Sequence, residues 1–169
     1  MSRPAAFLDR DGVINIDHGY TFRPEHLEFT PTAIEGIRLL NKAGYPVLVV
    51  TNQSGVARGF YGLAEVEAFH FHLNAALRKA GAHVDAFYFC PYHPDGTVED
   101  FAIEHEDRKP GIGMIRRAMR EWNVDPDASF LIGDKQSDLD AAAAAGLSAR
   151  LIESNTGDLA AAVRGFLDA

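Results

Sequence analysis

Asp9 and Asp11 follow the short apolar run at residues 5–8 and directly precede Gly12. Two carboxylates this close on an extended segment repel each other, and a divalent cation would relieve the repulsion and lower their pKa values. Gly12 allows the backbone to approach a ligand closely. Asp-Gly is also a common turn pair, so a turn with solvated aspartates is the alternative. The cluster is a candidate catalytic and metal-binding site.

A second polar cluster follows the continuous, β-branched run at residues 47–50. Its hydroxyl, amide and backbone groups suit the oxygens of a phosphate group, and it consists of Thr51, Asn52, Gln53, Ser54 and Gly55. An ordinary polar turn between a strand and a helix would have the same composition. Arg58 lies just beyond it and is a candidate contact for a second anionic group, or else a solvated surface residue.

The cations Arg108 and Lys109 stand just before Pro110 and a predicted helix. A positive charge is unfavourable at the first turn of a helix, because the helix dipole is positive there. Placed against a phosphate, the same charge would offset negative charge on the transferred group. The pair is therefore a candidate for phosphate binding, with an ordinary surface pair as the alternative.

Two further carboxylates, Asp134 and Asp138, come after the apolar residues 129–132. Their spacing of one helical turn lets both reach the same site. Asp138 also fits an acidic residue at the N-terminus of a helix. Asp134 is therefore a candidate site residue at the end of a strand, and Asp138 is a second candidate one helical turn further on.

Strands and helices alternate along the chain, which predicts an α/β fold with a central parallel sheet and helices on both faces. The predicted strands are residues 5–8, 47–50, 85–90, 129–132 and 149–152. The predicted helices include one with Thr30 as N-cap that ends at Gly44, and one at Leu63–Lys79. Residues 91–109 are predicted to be a long loop without structure of its own. Ligands of such sheets bind beyond the carboxyl ends of the strands, where three of the polar clusters fall.

Composition limits the classes of function. The 169 residues carry a formal net charge of -8, which argues against a nucleic-acid partner. No apolar run approaches the roughly 20 residues that span a bilayer, so no membrane association is expected. Cys90 is the single cysteine, and the first residues do not form a signal peptide, so we expect a cytoplasmic protein. We also expect one domain over residues 1–169, and a monomer.

Together the motifs resemble those of the haloacid dehalogenase superfamily of phosphohydrolases. Its four motifs are matched by Asp9-Arg10-Asp11-Gly12, by Thr51, by Lys109, and by Gly133-Asp134 with Asp138. Three stretches look like the heptose bisphosphate phosphatase branch, of which the histidinol phosphatases are a sister branch. They are Asp11-Gly12-Val13-Ile14-Asn15, Asp17-His18-Gly19-Tyr20 and Thr51-Asn52-Gln53-Ser54-Gly55-Val56-Ala57-Arg58-Gly59. The resemblance spans nearly the whole chain and implies a three-layer, Rossmann-like fold with a minimal cap.

The resemblance also implies roles for individual residues. Asp9 would attack phosphorus, and Asp11 would protonate the leaving sugar oxygen and then activate water. Asp9, the backbone carbonyl of Asp11 and Asp134 would hold Mg²⁺. Thr51 and Lys109 would bind the phosphoryl oxygens. The substrate contacts would come from Asp17, His18, Gly19, Tyr20, Asn52, Gln53, Ser54, Arg108 and Lys135, with Arg58 near a distal phosphate.

The sequence departs from the branch in the long loop, where many members hold a structural zinc through Cys-x-His and Cys-x-Cys. The corresponding positions are Cys90, Tyr92, His105 and Asp107. Cys90, His93, His105 and Asp107 are permissible zinc ligands, but the spacing has changed and no second thiolate remains. We therefore expect no structural zinc, and a loop held by hydrogen bonds and by packing around Tyr92 and His93.

The expected function is that of a Mg²⁺-dependent phosphatase that forms an aspartyl-phosphate intermediate on a small sugar phosphate. The branch implies removal of the 7-phosphate of D-glycero-D-manno-heptose 1,7-bisphosphate, a reaction of lipopolysaccharide biosynthesis. The alternatives are histidinol phosphate or another small phosphoester as substrate, and a phosphate-binding module without catalysis. A nucleic-acid phosphatase is disfavoured by the acidic charge.

Overall fold

A five-stranded, all-parallel sheet forms the centre of the computed structural model, which describes residues 1–169. The spatial order of the strands is β3-β2-β1-β4-β5. The strands are β1 (Ala6–Leu8), β2 (Val47–Asn52), β3 (Ala86–Cys90), β4 (Phe130–Gly133) and β5 (Ser148–Leu151). The helices are α1 (Ala33–Lys42), α2 (Leu63–Lys79), α3 (Gly113–Trp122), α4 (Gln136–Ala144) and α5 (Leu159–Leu167).

Two apolar layers cover the sheet, because successive side chains of a strand point to opposite faces. In β1, Ala6 and Leu8 pack into the layer that also holds residues of α1, α2 and α5. Phe7 of the same strand packs into the opposite layer, with residues of α3 and α4. This arrangement confirms the predicted three-layer fold and brings the carboxyl ends of β1, β2 and β4 to one edge.

The predicted start of the first helix is wrong. Helix α1 begins at Ala33, and Thr32 rather than Thr30 precedes it. Thr30 is buried, and its hydroxyl donates to the carbonyl of Val13 at 2.7 Å. That hydroxyl fastens the segment after β1 and does not cap the helix. The predicted end is confirmed, since Gly44 adopts a positive φ of 79° just after the helix.

Two connections border the edge of the sheet where β1 ends. Residues 13–29 between β1 and α1 form a short flap, which contains one turn of 3-10 helix at Pro24–His26. Asn155 holds the flap to the region after β5, because its Oδ1 accepts a hydrogen bond from the backbone of Asp17 at 2.7 Å. The loop at residues 91–109 is not without structure, since it includes a 3-10 turn at Glu99–Phe101. No helix is long and apolar enough to cross a membrane.

Candidate active site

Lys109 lies between two carboxylates at the end of the sheet. Its Nζ donates to Asp9 Oδ1 at 3.0 Å and to Asp138 Oδ1 at 2.6 Å, and all three side chains are buried. Burial alone would raise the pKa of Asp9, but the charge and hydrogen bond of Lys109 hold it below its usual value. Burial would also lower the pKa of Lys109, but the two carboxylates raise it. Asp9 is thus a carboxylate and Lys109 is a cation.

Asp134 is the carboxylate in this cluster that lacks a protein partner. Both of its oxygens are buried and accept no hydrogen bond, which is unfavourable for a buried carboxylate. Burial and the negative charge of Asp9 raise its pKa to about 7. Ligand oxygens of Asp9, Asp134 and Asp138 lie within 4.8 Å of one another. Because three close carboxylates have one cation among them, the donor set fits a hard divalent metal ion.

Asp138, unlike Asp134, has hydrogen-bond partners for both of its carboxylate oxygens. Asp138 Oδ1 is paired with Lys109, and its Oδ2 accepts from the backbone amides of Asp134 and Lys135, both at 3.2 Å. Asp138 therefore orients Lys109 and the loop that carries Asp134. Gly12 leaves room for Asp134, since a Cβ on Gly12 would collide with Asp134 Oδ2.

A hydrogen-bond network joins the end of β2 to Asp11. Gln53 Nε2 donates to Thr51 Oγ1 at 2.9 Å and to Asp11 Oδ2 at 3.1 Å. The hydroxyl of Tyr61 fixes the amide by donating to Gln53 Oε1 at 2.6 Å. Since Thr51 Oγ1 accepts this bond, the hydroxyl proton of Thr51 is available for another acceptor. The network places Thr51 and Asp11 as side chains of one site.

A cavity of about 520 Å³ opens above these residues. Its lining includes most of the predicted substrate contacts, namely Asp17, Gly19, Tyr20, Asn52, Gln53, Ser54, Arg108 and Lys135, as well as Asp11 and Lys109. Tyr61 and Ser137 also line it, and the sequence analysis missed both. Ser137 lies within the motif that contains Asp134 and Asp138, so its position in the sequence was a signal for a place at the site. Tyr61 is an aromatic residue in a turn and carried no comparable signal.

Two predicted substrate contacts lie outside the lining of this cavity. The imidazole of His18 lies 3.5 Å from the carboxylate of Glu28 and lines a separate cavity formed by residues of the flap. The guanidinium of Arg58 lies 3.3 Å from His93 Nε2, towards the long loop. The positions of both side chains depend on where the chain turns after a motif. Residue type and spacing in the sequence do not specify that turn.

The four possible zinc ligands of the long loop do not form a group of three, although His105 Nδ1 lies 3.9 Å from Asp107 Oδ2. The Cys90 thiol is buried and donates to the Tyr92 carbonyl at 3.9 Å, and burial raises its pKa to about 11. The imidazole of His105 stacks on Tyr92 with 4.2 Å between ring centroids. Asp107 pairs with Arg117 at 3.3 Å. The one group of three or more convergent metal-binding side chains is Asp9, Asp134 and Asp138, so these loop residues do not fit a zinc site.

Comparisons with known proteins agree with this geometry. The sequence model of the HAD-hydrolase-like family matches residues 107–164. The D-glycero-beta-D-manno-heptose-1,7-bisphosphate 7-phosphatase of Rhodopseudomonas palustris is 48% identical over 145 residues, which are 86% of this chain and 81% of the relative. The enzyme of the same name from Salmonella typhi is 42% identical over 151 residues, covering 89% and 80%.

A solved structure extends the comparison to the fold. The D,D-heptose 1,7-bisphosphate phosphatase of B. bronchiseptica, complexed with magnesium and phosphate, superposes with a TM-score of 0.85 at 33% identity. The match covers 98% of this chain and 99% of that one. Because these relatives are phosphatases and the match extends over nearly the whole chain, this chain is a phosphoric monoester hydrolase. It belongs to the family of haloacid dehalogenase-like phosphatases that includes the heptose bisphosphate phosphatases.

Proposed function

We propose that this enzyme is a Mg²⁺-dependent phosphatase that hydrolyses a sugar phosphate through an aspartyl-phosphate on Asp9. The observation that carries the proposal is the Asp9–Lys109–Asp138 array beside the unpartnered oxygens of Asp134. Lys109 of this array also lines the polar cavity, together with Asp11. A buried carboxylate with a fixed cation beside it is a suitable nucleophile for a phosphate group, because the cation offsets charge as phosphorus is attacked.

The first step transfers the phosphoryl group to Asp9. A carboxylate oxygen of Asp9 forms a bond to phosphorus while the bond between phosphorus and the sugar oxygen breaks. The electron pair of that bond stays on the sugar oxygen, which takes a proton from Asp11. Lys109 and the Thr51 hydroxyl bind the phosphoryl oxygens, whose charge is most exposed in the transition state.

The second step returns Asp9 to its starting state. Asp11, now a carboxylate, takes a proton from a water molecule whose oxygen attacks phosphorus. The bond between phosphorus and Asp9 breaks, and its electron pair remains on Asp9, so phosphate is released and Asp11 is protonated again. In the proposed site Asp9, the backbone carbonyl of Asp11 and Asp134 hold Mg²⁺, with Asp138 in support. When bound, the ion neutralises charge on the carboxylates and on the phosphoryl group.

The proposed substrate is D-glycero-β-D-manno-heptose 1,7-bisphosphate, with hydrolysis at the 7-phosphate. The names of the relatives support it, as does a cavity with the cations Arg108 and Lys135 beside Asp17 and Ser54, which suit a polyhydroxylated anion. We propose that Arg108, which lines the cavity, contributes most to recognition. We further propose a cytoplasmic monomer with one catalytic domain, acting on a small molecule and on no nucleic acid.

The test is phosphate release from both anomers of the heptose bisphosphate, histidinol phosphate and several hexose phosphates, with and without Mg²⁺. We expect preference for the β anomer, no turnover after chelation, and a product that keeps its anomeric phosphate in ³¹P NMR spectra. Asp9→Asn should abolish turnover, whereas Asp140→Asn, at an exposed position of α4, should not. Full activity of Asp9→Asn would overturn the mechanism, and a preference for histidinol phosphate would overturn the substrate.

A further inference from the structure

Arg10, between the two catalytic aspartates, is a buried charge with a hydrogen-bond partner for each of its three guanidinium nitrogens. Its exposed fraction is 1%, and its guanidinium lies 4.5 Å from the ring centroid of Phe69. Nε and Nη2 donate to Asp11 Oδ1 at 3.0 and 2.8 Å, and Nη2 also donates to the flap carbonyl of Thr21 at 2.7 Å. The two bonds from Nε and Nη2 converge on the single oxygen Oδ1 and hold the guanidinium at one edge of the Asp11 carboxylate.

The remaining contact of Arg10 reaches across the fold to His70 on helix α2. Arg10 Nη1 lies 3.1 Å from His70 Nε2. A guanidinium donates and never accepts, so His70 Nε2 must be the unprotonated ring nitrogen that accepts this bond. Burial, with the charge of Arg10, lowers the pKa of His70 to about 2, so the ring is neutral. The imidazole is itself held by stacking on Phe87, at 4.3 Å between centroids and 12° between planes.

The two carboxylate oxygens of Asp11 have different environments as a result. Oδ1 accepts three hydrogen bonds, two from Arg10 and one from Asn15 Nδ2 at 3.0 Å. Oδ2 accepts one, from Gln53 Nε2 at 3.1 Å. The side-chain oxygen Oδ1 of Asn15 is buried without a hydrogen-bond partner, so orienting the Asn15 amide towards Asp11 leaves one polar atom unsatisfied. A proton on Oδ1 would be crowded by three hydrogen-bond donors that point at this oxygen, whereas a proton on Oδ2 would face only one.

We propose that Arg10 and His70 are positioning residues that hold Asp11 so that Oδ2 alone exchanges the proton with the leaving sugar oxygen. The inference rests on the proposed function, in which Asp11 is the general acid. In the step concerned, the bond between phosphorus and the sugar oxygen breaks, its electron pair remains on that oxygen, and the proton of Asp11 Oδ2 moves to it. His70 acts only through Arg10, because its Nε2 accepts the hydrogen bond from Nη1 and so holds the guanidinium against Asp11.

The proposal predicts an effect that depends on the leaving group. A sugar alkoxide is a poor leaving group and needs the proton, whereas p-nitrophenolate is a stable anion that leaves without it. The measurement is single-turnover release of the leaving group with enzyme in excess, so that only phosphoryl transfer to Asp9 is observed. The substrates are the heptose bisphosphate, or another sugar phosphate that the wild type cleaves, and p-nitrophenyl phosphate.

His70→Leu removes the acceptor for Arg10. We expect it to slow phosphoryl transfer from the sugar phosphate by about 10- to 100-fold, part of the roughly 10²–10⁴-fold that acid–base catalysis supplies. The rate with p-nitrophenyl phosphate should change by less than about 2-fold, since that reaction does not use the acid. His70→Gln, which keeps a side-chain acceptor, should restore most of the loss. His72→Leu, the same change at an exposed position of α2, should alter neither rate.

Arg10→Lys tests the same point with His70 in place, and decides the matter if His70→Leu does not fold. It keeps the buried charge but loses the fork, so we again expect a loss confined to the sugar phosphate. Equal losses with both substrates would overturn the proposal, because they would indicate a general disturbance of the site. Unchanged rates with both would overturn it as well. Failure of the proposed function is distinct, since the wild type itself would then cleave no sugar phosphate.

Discussion

Asn52 and Lys109 are joined by two hydrogen bonds that run in opposite directions. Lys109 N donates to Asn52 Oδ1 at 3.0 Å, and Asn52 Nδ2 donates to the Lys109 carbonyl at 3.1 Å. The pair ties the end of β2 to the end of the long loop. Because these bonds hold the backbone of Lys109 in place, they also position its side chain, which donates to Asp9 and Asp138.

Replacing Asn52 should loosen Lys109. For Asn52→Ala we expect the free energy of unfolding to fall by about 1–3 kcal/mol, because two part-buried bonds are lost and a backbone amide is left unpaired. We expect kcat for phosphate release to fall by roughly tenfold, which corresponds to about 1.4 kcal/mol in the barrier. Urea denaturation and a phosphate assay measure the two effects.

The chain contains a matched control for this variant. Asn41 makes the same pair of hydrogen bonds with the backbone of His83, at 3.1 and 2.9 Å, at the opposite edge of the sheet. Asn41→Ala should lower stability by a similar amount and leave kcat unchanged. If both variants lowered kcat equally, the special role of Asn52 in placing Lys109 would be disproved.

Removal of the Lys109 charge should affect stability and catalysis together. Lys109→Met leaves Asp9 and Asp138 as buried, unpaired carboxylates, and we expect a loss of about 3–5 kcal/mol in the free energy of unfolding. Adding Asp138→Asn removes one of the two unpaired charges and should recover part of that stability. Turnover should stay absent in both variants. A double variant no more stable than Lys109→Met would contradict the electrostatic explanation.

Asp134 should make the metal-free protein less stable as the pH rises. Its pKa of about 7 in the folded protein exceeds the ordinary 3.8, so between these values the folded state binds more protons than the unfolded state. The free energy of unfolding therefore falls as pH rises across that window. Burial also raises the pKa of Asp138, with the same sign. The lowered pKa of Asp9 acts only below about pH 4.

Melting temperatures in a chelator at about pH 5 and about pH 7.5 test this expectation. The chelated wild type should melt lower at the higher pH, and Mg²⁺ should stabilise it more there, because the ion pairs with the ionised carboxylates. Asp134→Asn should show a smaller difference between the two pH values and a smaller response to Mg²⁺. A pH dependence identical to that of the wild type would show that Asp134 is not its source.

The long loop should keep its structure without zinc. Tyr92, His105 and Asp107, the positions that the family resemblance relates to zinc ligands, form the Tyr92–His105 stack and the Asp107–Arg117 ion pair. We expect elemental analysis of the purified protein to find far less than one zinc per chain, and a zinc-selective chelator to leave the melting temperature unchanged. One tightly held zinc per chain would contradict this expectation. Asp107→Asn, which weakens the ion pair, should lower the melting temperature in either case.

Local patterns predicted most of the fold because they report burial directly. The β-branched run at residues 47–50 is buried on both faces of the sheet, as its lack of alternation indicated. The prediction of Thr30 as the N-cap of α1 was wrong because the role of this residue depends on a contact between residues distant in sequence. Thr30 has the residue type of an N-cap, but its hydroxyl is directed to the carbonyl of Val13, to which it donates, and only the folded chain brings that carbonyl within reach.

The sequence by itself determined which chemical groups stand at the ends of β1, β2 and β4, because strand ends follow from hydrophobic patterning and parallel strands share an edge. Only the tertiary structure decided their partners. Lys109 reaches Asp9 across 100 positions of the chain, and Arg10 reaches His70 across 60. Pairs so distant in sequence leave no local pattern. They are selected by packing, since a buried charge is tolerated only where the fold brings it a partner.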